Sequence, residues 1–453
     1  MIAFYRKHKL KIVAATLTLL VLLCNLKIEL WPLASAFMAL FYFTCSFGEQ
    51  LCITTYLCAF SNVSQIYVSG LLLSFIYLCI KYCFDLKHKK KPFFRREFVL
   101  TTIIVFVFSI IHQTIDVGGF FNWGLFVALF YSIYFIFIYH DEIDVDRCFK
   151  SLFVGLVVSV LVGVCVSFAA TFREIIYPFD GLVNRLRLFT HNVNQLSMFC
   201  LFEIAYLCHK ILNEYLKPNH TFMFFKDWSF WTIIIQFVFC STIGFLTLSK
   251  AFFILFMICV LYLLIYFVMK YKLKSLIVIL PIFIVLALLT LPLKGFAHKL
   301  ISRFSAYGEI NSIWSKIFTG RTEIWQVYLD NIRSSIWTML FGAGLLTQDP
   351  VAIGPHNVFI YFLYRVGFVG IILIISLFYC YFKDSSKTIK IRYRNCLVLI
   401  CYFLLSLEEM IFSDRFFVFL VFAILMTLSP KRKIKIYPIE IQQKFSKHAK
   451  SHK

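Results

Sequence analysis

The chain alternates apolar stretches of about 20 residues, the length a helix needs to cross a bilayer, with short turns rich in lysine and arginine. Lipid offers no partner for an unpaired backbone amide, so stretches of this kind are stable there as helices, which satisfy their own hydrogen bonds. Composition agrees. Of 453 residues, 61% are hydrophobic and 15% charged, against roughly 45–50% and 25% in a soluble domain. The expected class is an all-α, polytopic integral membrane protein.

The net charge of +22 would suggest a nucleic-acid partner in a soluble protein. Here Lys and Arg collect in short loops and at both termini, as the positive-inside bias demands, and no nucleic acid is expected. The 15 cysteines lie mostly within apolar runs and form no CxxC pair, so they read as small core residues and not as disulfides or metal ligands. Residues 1–26 have a basic start and an apolar core but no clear small-residue cleavage pattern, and are expected to be an uncleaved first span.

Basic landmarks set the orientation. The segments 85–97, 217–227, 270–274, 383–395 and the tail 431–453 are expected in the cytoplasm, with both termini. Spans are predicted at 98–113, 118–139, 150–172, 192–210, 229–247, 250–270, 273–293, 357–381, 396–411 and 414–430. An even number must precede Asp85, two or four, giving about twelve spans or about fourteen. The expected organisation is an N-terminal bundle (1–293), a large extracytoplasmic loop with short helices (294–356), C-terminal helices (357–430) and a basic cytoplasmic tail (431–453).

This threading puts the turn 172–195, the corner 247–252, the loop 294–356 and the corner 413–416 on the outer side. Arg185, Arg187, Lys250, Arg321, His356 and Arg415 then share one face, against the charge bias. A polyanion at the outer leaflet would account for them; snorkelling to headgroup phosphates is the bland alternative for each one singly.

Within the loop, "SIWSKIFTGRTEIWQVYLDNI" has helical apolar spacing after Gly320, with Thr319 as a cap and Glu323 in the first turn. A helix start beside Arg321 suits an anion, because free amides and the guanidinium point the same way. "FGAGLL" is too short of glycines for a nucleotide loop and reads as a turn. In "GPHN", Pro355 stiffens the approach to the next span and His356 lies at its outer end, where a neutral imidazole can take a proton from an alcohol. Tyr328 reads as a core or lipid-facing residue. Glu203 is the main acidic residue well inside a span.

Taken together, "TGRTEIW", "FGAG", "GPHNVFIYFLYRVGFVG" and "RLRLFTHNVNQLS" resemble the O-antigen polymerase and O-antigen ligase family of bacterial membrane glycosyltransferases. The closest likeness lies in Gly320, Arg321, Trp325, His356, Asn357, Gly367 and Gly370. Where that family usually has an arginine in a "T-x-S-R" corner, this chain has Lys250, which keeps the charge but not the bidentate fork.

The resemblance implies transfer of a glycan from an undecaprenyl-diphosphate-linked oligosaccharide to a glycan acceptor at the outer face of the bacterial inner (cytoplasmic) membrane, with no metal, no nucleotide sugar and no cofactor. It implies Arg321 and Arg185 as main diphosphate ligands, Lys250 and Arg415 assisting, and Arg187 and Asn357 supporting. His356 becomes the general base, with Glu408 and Glu409 either orienting Arg415 or competing as base. The implied partners are the bilayer, a flippase and a chain-length regulator. A polymerase is the leading expectation, a ligase its rival within the family, and a lipid-linked glycan transporter the rival from another class.

Overall fold

The computed structural model describes residues 2–26, 30–87, 142–180, 183–215, 227–271, 321–344, 349–351, 354–391, 396–406 and 428–430, with positions 99, 100, 103, 139, 423 and 426. The predicted spans 98–113, 118–139 and 273–293 lie essentially outside the described residues, as does most of 414–430.

The architecture is helical. In order come α1 (Ile2–Asn25), α2 (Trp31–Thr44), α3 (Phe47–Leu57) with a 3-10 extension (Cys58–Phe60), α4 (Ser64–Lys87), α5 (Val145–Val166) and α6 (Ala170–Ile176). They are followed by α7 (Val193–Glu214), α8 (Trp228–Leu246), α9 (Lys250–Tyr271), α10 (Arg321–Arg333), α11 (Ile336–Phe341), α12 (Val358–Thr388) and α13 (Leu397–Ser406). Two short antiparallel ladders add to the helices: β1 (Phe179–Asp180) with β2 (Val183–Asn184), and β3 (Ile389–Ile391) with β4 (Leu428–Pro430). Among the described residues five helices are long and apolar enough to span a membrane: α1 from His8, α5, α7, α8 and α9 up to Lys270.

Helix α7 is the central post. Between Met198 and Cys208 its sequence is apolar on every side apart from Glu203 and the Tyr206 hydroxyl, and a helix stretch with no polar face belongs inside a bundle; nearly every residue from Val193 to Cys208 is buried. Helices α5, α8, α9 and α13 pack around it. Helices α5, α8 and α9 turn Leu161, Val164, Ile235, Leu261 and Met269 outward, as befits faces covered by acyl chains. The buried cysteines, among them Cys148, Cys200, Cys208, Cys240 and Cys259, fill this core as small apolar residues.

Polar contacts gather at the two ends of the bundle. At one, Lys9 Nζ is 2.6 Å from Glu49, Lys81 pairs with Glu142, the Tyr206 hydroxyl donates to Asp146 (2.9 Å), and Lys270 donates to the Tyr215 carbonyl (3.3 Å). At the other, Asn62 donates through its side chain to Asn25 and through its backbone N–H to the Phe189 carbonyl. There too the Leu186 N–H donates to the Leu246 carbonyl (3.1 Å).

These ties show α1 to α4 running alternately between the two ends; of the four, α1 is long and apolar enough to span a membrane. The ties also unite the 172–195 turn and the 247–252 corner at one end, as the threading required. The helix that answers to the predicted span 150–172 is displaced towards the N-terminus, running from Val145 to Val166. Helix α5 stops at Val166 and a new helix starts at Ala170, with the Ser167 N–H still closing on the Gly163 carbonyl (3.0 Å).

Packing of α5 on α3 depends on Gly155. A Cβ there would lie 2.6 Å from the Tyr56 carbonyl oxygen, part of a helix backbone that has no freedom to move aside. Gly155→Ala is expected to destabilise the bundle by about 1–3 kcal/mol, the usual cost of overpacking, read as a lower unfolding midpoint of the solubilised protein with its secondary structure unchanged.

Candidate functional site

Three segments carry the candidate residues. Each holds one residue in the left-handed backbone region: Leu188 (φ 52°), Leu248 (φ 52°) and His356 (φ 48°), the three non-glycine residues with positive φ among those described. The conformation costs about 1–2 kcal/mol for an L-residue. It persists only where the surroundings over-determine it, and such positions concentrate at functional sites.

The first two segments meet directly. Arg185, buried, donates through Nε to the Thr247 carbonyl (2.8 Å) and through Nη2 to Asn194 Oδ1 (3.2 Å). Thr247 caps α8 and opens the corner in which Lys250 starts α9 and is also buried. The corner is tight because Gly244 has no side chain: the Phe252 ring occupies the place of its Cβ. Arg187 is half-buried and donates to the Ile175 carbonyl (2.8 Å), and burial lowers its pKa from the ordinary arginine value. The guanidinium of Arg185 therefore shapes the corner that presents Lys250.

The third segment is built on α10, α11 and α12. Arg321 is the first residue of α10 and half-buried; the expected cap Thr319 lies outside the described residues. One turn on, Trp325 Nε1 donates to the Pro355 carbonyl (2.6 Å), pinning the residue before His356. Asn357 is buried, and its side-chain oxygen accepts from the N–H groups of Phe359 (3.0 Å) and Ile360 (3.1 Å). That is the geometry of a helix N-cap, so Asn357 anchors the turn that displays His356. His356 itself is half-buried.

Below this turn α12 breaks. Gly367 has φ 64° and ψ −173°, so the apolar span expected at 357–381 is two helical pieces joined by a kink. A break strands the carbonyls of the preceding turn, which in a membrane must find partners within the protein. The "FGAG" turn supplies them: the Ala343 N–H donates to the Tyr364 carbonyl (2.6 Å) and the Gly344 N–H to the Arg365 carbonyl (3.0 Å). Gly342 (φ 81°) and Gly367 bring the two backbones so close that a Cβ on Gly342 would strike the Arg365 backbone and one on Gly367 would strike the Leu340 carbonyl. The turn expected from those glycines is present, and its purpose is to close the kink.

The sequence reading passed over Arg365 and Asp349. Arg365 is buried, pairs with Asp349 (2.8 Å), and lies over the rings of Tyr361 (5.1 Å) and Tyr364 (5.5 Å). Tyr364 in turn meets Tyr328 edge-on, 5.1 Å between centroids, in a small core with Ile332. Tyr328 is a core residue, as expected, and burial beside the Asp349 carboxylate raises its phenol pKa. An arginine inside a predicted apolar span was the available signal for Arg365. Val358, Phe362 and Val366 of α12 join Leu186, Leu188, Ala251 and Phe252 in the main buried cluster, so all three segments stand on one core. Arg415, Glu408 and Glu409 lie outside the described residues.

Residues 235–375 match a family model described as O-antigen ligase. The match bears out the family resemblance read from the sequence over under a third of the chain, and the apolar helices point to a membrane protein. It contains Lys250, Arg321, Asp349, His356, Asn357 and Arg365, while Arg185 and Arg187 precede it and Glu408, Glu409 and Arg415 follow it. No curated protein and no solved structure matched the chain.

Two substitutions probe the construction of this segment. Trp325→Phe removes the donor to Pro355 and is expected to cost about 0.5–1.5 kcal/mol, seen as faster amide exchange through residues 354–360. Gly367→Ala is expected to cost at least the roughly 1–2 kcal/mol of the left-handed conformation, seen as a lower unfolding midpoint.

Proposed function

We propose that the protein is a polymerase that joins undecaprenyl-diphosphate-linked oligosaccharide repeats into a cell-surface polysaccharide of O-antigen or capsule type, at the outer face of the cytoplasmic membrane. The observation that carries this reading is the turn at His356. A left-handed histidine is held between a capped helix start and a pinned proline, beside a helix that begins with Arg321.

In this reading His356 takes the proton from the acceptor hydroxyl as its oxygen attacks the anomeric carbon from the face opposite the diphosphate. The new carbon–oxygen bond forms as the bond to the diphosphate breaks, with inversion and no covalent intermediate. Negative charge grows on the departing diphosphate, where Arg321, Arg185, Lys250 and Arg415 stabilise it. Arg187 and Asn357 hold the surrounding backbone. The histidine, the cations and the leaving diphosphate account for every proton and charge in the step, so no metal or cofactor is required by it.

A ligase that moves a finished glycan to lipid A core or another acceptor would use the same donor chemistry and is equally consistent with the family match. The transporter reading rests on Glu203, buried in α7, and leaves the His356 turn without a role.

The test is complementation of a deletion strain with wild type, Arg321→Ala and His356→Ala at matched membrane levels. Lipid-linked and surface glycans are then resolved by size. Polymerisation predicts single lipid-linked repeats accumulating and long chains falling at least 100-fold, in line with the roughly 10²–10⁴-fold that a general base contributes. Long chains that stay on the lipid carrier would mean a ligase; wild-type behaviour of both variants would remove these residues from the site.

A further inference from the structure

The Arg365–Asp349 pair is oddly placed for a stabilising contact. The arginine side chain is 5% exposed and the aspartate 33%, so one charge has left water while its partner remains partly in it. Replacing such a pair by apolar residues is often neutral or stabilising, which makes it weak evidence for stability and better evidence for a defined geometry. Its position bears this out. Arg365 lies on α12 between the His356 turn and the Gly367 kink, and Asp349 belongs to the stretch leading into "GPHN".

The described parts of that stretch are tied down in three places. Its start is fixed where Ala343 and Gly344 donate to the carbonyls of Tyr364 and Arg365. Its middle is fixed where Arg365 grips Asp349 (2.8 Å) and reaches back to the Gly344 carbonyl (3.4 Å). Its end is fixed where Trp325 holds Pro355. The middle tie is the ionic one. The Tyr361 and Tyr364 rings stiffen it by lying against the guanidinium, and Tyr364 passes the constraint through Tyr328 to α10, the helix of Arg321 and Trp325.

We propose that Arg365 and Asp349 are a positioning pair that sets the relative placement of His356 and Arg321 without either member touching substrate. The inference rests on the glycosyl-transfer reading above for its kinetic consequence, though its structural consequence stands apart from it. A displacement of about 1 Å at a reacting group can lower a rate about 10²-fold, so a change in this tie should act more on turnover than on donor capture, because the charge that Arg321 meets on the diphosphate grows in the transition state.

The experiment uses the full-length protein in lipid nanodiscs with a polyprenyl-diphosphate-linked oligosaccharide donor, comparing wild type, Asp349→Asn, Arg365→Lys, the double variant and His356→Ala. Asp349→Asn and Arg365→Lys are each expected to lower kcat about 10-fold or more with KM within about twofold, and the double variant to be no worse than the weaker single, as for residues acting as one unit. Amide exchange over residues 349–360, measured without donor, is expected to quicken in both single variants and to stay as in wild type in His356→Ala. Unchanged exchange in Asp349→Asn and Arg365→Lys overturns the pair whatever the activity shows. So does a normal kcat per folded molecule in both, when His356→Ala is inactive. Full activity in His356→Ala with faster exchange in the two pair variants would instead reject the catalytic reading and keep the pair as the device that fixes this turn.

Discussion

Everything in this chain follows from the need to satisfy backbone hydrogen bonds without water. Inside a bilayer a free carbonyl or amide costs several kcal/mol, so the chain runs as helices wherever it can. Where α12 departs from the helix at Gly367, the departure is sealed at once by Ala343 and Gly344. That closure fixes how α11 meets α12. The site segment is thus built on a flaw in a helix that the rest of the protein repairs.

The same economy governs the opposite corner. Thr247, Leu248 and Ser249 reverse the chain between α8 and α9 in three residues, with Leu248 in a left-handed conformation and the Phe252 ring seated on Gly244. The Thr247 carbonyl, left over by the turn, is taken up by Arg185. A cation buried for this purpose also brings positive charge to the corner that leads into Lys250. In the proposed reaction such placement matters because stabilisation aimed at a departing diphosphate is strongest where water is excluded and the donors are already oriented.

Much of this was legible beforehand. Apolar stretches bounded by basic turns located α7, α8 and α9 to within a few residues, because length and hydropathy alone decide whether a segment can cross lipid. "GPHN" announced a helix start and "FGAG" a turn. Other features were hidden for physical reasons. The stop of α5 at Val166 falls inside a run still apolar enough to continue, and the kink at Gly367 sits in a segment whose hydropathy reads as unbroken. Asn357 looked like a supporting polar group of the site and is the cap of α12. Arg365 was masked by its apolar neighbours, and Asp349 by a loop with no periodicity to place it.

What the sequence determined by itself is a helical protein with membrane-spanning segments, its family likeness and a set of candidate residues for chemistry, since these depend on local composition and short motifs. What only the tertiary structure decided is which of them stand together: Arg185 on the Lys250 corner, Trp325 on Pro355, Arg365 on Asp349. Each of these joins residues well apart in the chain, from the 16 positions between Asp349 and Arg365 to the 62 between Arg185 and Thr247. No periodicity or spacing encodes such pairs, because they form only once the apolar cores beneath them have packed.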